Sequence, residues 1–374
     1  MNFVIVIFLA FVSAELSLVI EISKEGQRTP SKNFPWGLKE DPSILSSQGF
    51  DKQYQIGQKI KEKYYNLIHP YYTDDDILAR SCNSSSCISS IKAQLEGIYG
   101  KSYNFKINFT QEADDFLFRP QDSCPRIRWL MTPRLQSKDW QEIWKKVLSH
   151  SEKYKKFIGN DIDIQKIYGL GEALKSYKER KIDFPSELTK EEAEIAIEAY
   201  YRFHDTVIFA SIEQGILATN EMMINLFRSI NYEITKPSQV SQKFHIYLGD
   251  DAWYMAIMRT LGMDFSPSAA SALFIELHRI DDDKKIRFWQ ENSYVEVPGC
   301  GLECDFRDFE DIITNRNFKP EHKHRKLCMI IGEIEENGEI LKYALIILSC
   351  LFVSVLFKFH EQLSVWVQKK FKSE

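Results

Sequence analysis

An apolar run, Leu16 to Ile22, passes directly into Ser23-Lys24-Glu25-Gly26-Gln27-Arg28-Thr29-Pro30, and this junction constrains the chain more than any other stretch. Five apolar residues, interrupted only by Ser17 and Glu21, read as a buried strand. Gly26 and Pro30 then force a turn. A buried strand ending in a basic, glycine-containing loop is a place to hold an oxyanion, because backbone N–H groups and an arginine converge there.

Similar units follow. Phe50, Tyr54, Gly57, Ile60, Tyr64 and Leu67 recur at helical spacing. Ile77 to Ala79 is a short strand candidate leading into Arg80-Ser81, and Ile88, Ile91, Leu95 and Ile98 form a second helical stripe. Alternating strand, loop and helix predicts an α/β layer with a mostly parallel sheet. Ligands bind at the carboxyl ends of the strands in such a sheet, where the loops at Lys24–Thr29 and Arg80–Asn83 would lie. From Cys124 to about Tyr232 the chain is helical and strand-poor. Trp140, Ile143, Trp144, Val147, Tyr154 and Ile158 form one stripe, and Thr189 with Glu192 reads as a capping box. This region, about residues 125–235, is expected to be a helical cap. Strand character returns at Phe244 to Leu248, before Gly249-Asp250-Asp251 and a helix from Ala252 to Leu261. Ala272 to Ile280 and Lys285 to Trp289 form an antiparallel pair.

The ends of the chain assign a compartment. Phe3 to Val12 is apolar and is followed by Ser13-Ala14, the pattern of a cleaved signal over residues 1–14; a signal anchor is the alternative. Tyr343 to Phe357 is apolar on every face, and residues 340–359 are expected to cross a membrane, with a buried helix as the competing reading. Lysines at 358, 369, 370 and 372 place the tail, residues 360–374, in the cytoplasm. Residues 15–338 would then be a luminal or extracellular domain of a type I single-pass protein in the endoplasmic reticulum, an endosome or lysosome, or the cell surface. The last five residues, Lys370 to Glu374, resemble a two-lysine retrieval signal, a match that a basic tail also produces by chance. Seven cysteines suit an oxidising compartment. Cys300 and Cys304, and likewise Cys82 and Cys87, are close enough for local loops, whereas Cys350 lies within the membrane segment. Asn83 and Asn108 head glycosylation sequons. A net charge of −5 gives no argument for nucleic acid.

Ser23 to Pro30 resembles the Arg-His-Gly-x-Arg-Thr-Pro signature of histidine acid phosphatases. Gly26, Arg28, Thr29 and Pro30 match, but Lys24 stands at the first arginine and Glu25 at the nucleophilic histidine. The likeness to the prostatic and lysosomal type continues through Leu45-Ser46, Gly49, Tyr54, Gly57 and Tyr64. Arg80-Ser81 resembles the second arginine loop, with Asn83 and Ser86 where an acidic residue and a second arginine are usual. Cys124-Pro125-Arg126 matches Cys-Pro-Arg, and Tyr247 to Asp251 aligns with Tyr-Ser-Ala-His-Asp. Glu276-Leu277 and Pro298-Gly299-Cys300 with Cys304 fit the C-terminal part.

The resemblance implies a histidine-phosphatase α/β core, like that of phosphoglycerate mutase, with an inserted helical cap. It implies disulfides Cys124–Cys328 and Cys300–Cys304, and leaves Cys82 with Cys87 as a candidate private bridge. By position, Glu25, Asp250 and Asp251 occupy catalytic places, with histidine replaced at the first two, and Lys24, Arg28 and Arg80 the phosphate-binding ones. The family chemistry passes through phosphohistidine. A carboxylate at that place is an anion facing an anion. Two unit charges about 4 Å apart at an effective dielectric of about 20 repel by about 4 kcal/mol, or about three orders of magnitude. The expectation is therefore an inactive, membrane-anchored homologue with a binding or regulatory role, Glu25 and Asp250 pairing internally with Lys24, Arg28 and Arg80. The alternative is an acid phosphohydrolase with Glu25 as nucleophile, assisted by a metal on Glu25, Asp250 and Asp251. No cofactor is expected. A phosphorylated or anionic ligand, a protein partner and a homodimer all stay open. His245 reads as structural, and His322 and His324 as part of a solvated basic stretch.

Overall fold

A computed structural model describes residues 15–328, apart from residues 35, 38, 112–114, 120–123, 238–241, 265–270, 281–282, 317 and 319–326. The expected signal (1–14), membrane segment (340–359), tail (360–374) and His322 and His324 lie outside the described residues.

The opening run is strand β1, Glu15–Lys24, buried from Ser17 onward. Helix α1 (Ser47–Lys63) starts where Ser46 accepts the Gly49 N–H, and α2 (Ser85–Tyr99) where Ser84 accepts the Cys87 N–H. Strand β2 is Ile77–Ser81, β3 is Phe244–Gly249, and β4 and β5 are Ala272–Ile280 and Asp283–Gln290. Short strands β6 (Ser293–Val295) and β7 (Glu303–Asp305) complete the sheet, and helix Phe306–Asn315 follows.

The sheet order is β2-β3-β1-β4-β5-β6, with β7 also on β5. β1 and β2 both run parallel to β3, but β4 is antiparallel to β1 and all later pairings are antiparallel. The expectation of a mostly parallel sheet is thus corrected to a mixed one. The reason is that β4 is as buried as β1, and unbroken burial carries no information about strand direction. The expected hairpin of β4 and β5 is present, Ile280 pairing with Asp283.

Between α2 and β3 lies the cap: α3 (Pro125–Arg134), α4 (Lys138–Ser149), α5 (Ser151–Ile158), α6 (Ile164–Glu179), α7 (Lys190–Phe203) and α8 (Ile212–Thr235). The single stripe expected from Trp140 to Ile158 is divided between α4 and α5 at His150. The Thr189–Glu192 capping box opens α7. That helix does not continue to Ile208; a π-helical turn, His204–Ile208, interrupts it and turns His204 into the interior. The cap has its own core around Trp140, Leu170 and Ala196, separate from the core on the sheet. Among the described residues three disulfides close, Cys82–Cys87, Cys124–Cys328 and Cys300–Cys304. The second ties the start of the cap to the end of the described domain.

Candidate functional site

Strand register builds the site. Lys24 pairs with Gly249 across β1 and β3, and the Glu25 N–H donates to the Gly249 carbonyl at 2.9 Å. The residues just beyond each strand, Glu25 and Asp250, therefore emerge at one edge of the sheet. The loop after β1 is fixed by its own polar atoms. Gly26 N–H donates to Ser90 Oγ, Ser46 Oγ to Gln27 Oε1, and Ile44 N–H to Thr29 Oγ1. Gly26 has no left-handed φ, so its role is not the turn the sequence suggested. A Cβ there would lie 2.9 Å from the Gly49 carbonyl oxygen, so glycine serves close approach of the loop to α1.

Five of the six expected side chains meet here. Glu25 Oε1 accepts from Arg28 Nε at 2.7 Å, and Ser86 Oγ donates to Glu25 Oε2 at 2.5 Å. Arg28 Nη1 also contacts Glu172 Oε1 at 2.7 Å. Lys24 Nζ and Lys175 Nζ each lie 2.8 Å from one oxygen of Asp251, and Lys175 is 3.3 Å from Glu179. Tyr200 donates to Asp251 as well. Asp250 caps the helix Asp251–Thr260, α9, by accepting the Trp253 N–H at 2.9 Å.

These contacts correct the expected pairing in two places. Asp250 pairs with neither Lys24 nor Arg80, because its position fits a helix cap, and Lys24 takes Asp251 instead. Arg80 is not among the residues lining the cavities at this edge; in β2 it pairs in register with Tyr247 of β3, and its charge acts on that side chain. Ser86 occupies the space beside Glu25. Both sequon asparagines lie near β2: Asn108 is exposed and donates to the Ala79 carbonyl, and the half-buried Asn83 donates to Gln111.

The protonation states follow from burial and charge. Burial opposes ionisation of Asp251, but Lys175 and Lys24 outweigh it and hold its carboxyl well below the usual range. Burial pushes Asp250 up to about 6, against the pull of Arg119 and the Trp253 N–H. Burial likewise pushes His204 down to about 4, so its imidazole is neutral at neutral pH.

Above the ion pairs lies a cavity of about 420 Å³, bounded by the site loops and by Tyr168, Glu172, Tyr200, Phe203 and His204 of the cap. Directly around Lys24, Lys175 and Asp251 only about 10 Å³ is left. Sequence reasoning missed the cap's contribution. Glu172 and Lys175 are three apart on α6, a spacing that ordinarily marks a solvated helix face. Their signal would have been that Gly171, Ala173 and Leu174 around them are all core residues.

A family profile described as the histidine phosphatase superfamily (branch 2) matches residues 10–297. The chain belongs to this superfamily. Among curated relatives, prostatic acid phosphatase of Bos taurus is 23% identical over 335 residues, covering 80% of this chain and 85% of the relative. Lysosomal acid phosphatase of Rattus norvegicus is 18% identical over 395 residues, covering 93% and 89%. Among solved structures, a Hafnia alvei phytase in complex with tartrate superposes with a TM-score of 0.63 at 12% identity, covering 86% of this chain and 100% of that one. At that identity the likeness speaks for the fold alone.

Proposed function

We propose that the chain is a non-catalytic member of the superfamily that acts by binding, its 15–338 domain held on the luminal or extracellular face of a secretory-pathway membrane by residues 340–359. The observation that carries this reading is the state of Glu25. It stands where the resemblance puts the nucleophilic histidine, with one oxygen on Arg28 and the other accepting from Ser86. Each oxygen already accepts a hydrogen bond, which lowers its nucleophilicity, and its negative charge repels an incoming phosphoryl group. The arginine that would neutralise a phosphoryl group is itself held between Glu25 and Glu172. The same geometry counts against a carboxylate nucleophile. The match to lysosomal acid phosphatase supports the placement in the secretory pathway. Binding partners would be a small ligand at the cavity or a protein, with a second copy of the chain among the candidates.

Acid-quenched intact-mass measurement of the full chain after incubation with a phosphomonoester tests the reading. The expected spectrum contains no phosphoryl adduct. An adduct present in the parent chain and absent in Glu25→Gln would overturn it.

A further inference from the structure

The 420 Å³ cavity is of the size that holds a small molecule, and its chemistry is no longer that of an anion site. Four carboxylates line it, those of Glu25, Glu172, Asp250 and Asp251, against the two guanidiniums of Arg28 and Arg119. Glu25 and Glu172 share Arg28, and Asp251 holds Lys24 and Lys175. Asp250 is different. One of its oxygens accepts the Trp253 N–H, the other has no hydrogen bond or ion pair among the described residues, and Arg119 acts on its charge without forming a salt bridge. The cap side of the cavity is aromatic. Tyr168 lies 4.9 Å from Tyr200 and 5.7 Å from Phe203 between ring centroids, so the three rings make one continuous surface.

A carboxylate with an uncommitted oxygen beside clustered aromatic faces attracts a positive charge on an apolar body, through charge pairing and through the ring quadrupoles. We infer that this cavity binds a small organic ammonium ion, its charged end at Asp250 and its body against Tyr168, Tyr200 and Phe203. The inference rests on the pocket being non-catalytic and assigns the class of ligand it takes.

Titration calorimetry of the full chain with choline, with 3,3-dimethyl-1-butanol as its uncharged counterpart and with inorganic phosphate, tests this. Saturable binding of choline alone is expected. Asp250→Asn should weaken it about tenfold or more, because the charge is lost while asparagine still caps α9. The inference is overturned if choline fails to bind, if the uncharged alcohol or phosphate binds as well as choline does, or if Asp250→Asn leaves choline binding intact. A phosphoryl adduct or turnover would instead overturn the non-catalytic reading, so the two failures are distinguishable.

Discussion

Replacing Glu25 by glutamine should turn the pocket back toward anions without restoring chemistry. The substitution keeps the side chain's length and an oxygen able to accept from Arg28 or Ser86, and removes one negative charge. A phosphate held by Arg28 would lie about 4 Å from that charge, where repulsion is about 4 kcal/mol at an effective dielectric of about 20. That sets a ceiling of about 1000-fold on the gain in phosphate affinity, and retention of the Glu172 contact to Arg28 reduces it. A gain of at least about tenfold, read by calorimetric titration with inorganic phosphate near neutral pH, is therefore expected. Removing one of the two carboxylates on the half-buried Arg28 should also cost about 1–3 kcal/mol of stability. Equal phosphate affinity in the parent chain and the variant would refute the view that Glu25 excludes phosphate.

Asp251→Asn leaves Lys24, 1% exposed, without its anionic partner, and should destabilise the domain by about 3–5 kcal/mol, measured by urea unfolding. Glu21 in the middle of β1 is fully buried, and burial raises its carboxyl from 4.5 to about 7 against hydrogen bonds from Ser23 and Gln94. Its stabilising contribution is therefore full below pH 4.5 and lost as pH rises through about 7, a change of about 3 kcal/mol. Melting temperatures across that range should fall in the parent chain, and the fall should be shallower in Glu21→Gln. Replacing Cys124 and Cys328 by serine opens a link between residues 204 apart and should cost about 3–5 kcal/mol, seen as a lower urea midpoint.

Much of this architecture is legible in the sequence because local and global signals agree. Thr189 with Glu192 marks a helix start, and the capping box is present there. The run at Leu16–Ile22 lies in the central strand, and Glu25 and Asp250 fall at one sheet edge because β1 and β3 are in register. What was not legible depends on the third dimension. Strand direction leaves no trace in a strand buried on both faces, so the antiparallel pairing of β4 with β1 is not legible there, although its hairpin with β5 is. A motif match gave Arg80 a role in the pocket, but its place in β2 turns it to Tyr247. Glu172 and Lys175 come from a cap helix distant in sequence from both Arg28 and Asp251, and only packing of the cap onto the sheet shows that they complete the ion pairs of those two residues.

The central claim is that the family's chemistry is lost in this chain, and turnover of a generic phosphomonoester tests it most directly. Assayed from pH 4 to pH 8, the full chain should release phosphate no faster than buffer at every pH. Sustained release by the parent chain that disappears in Glu25→Gln would contradict it.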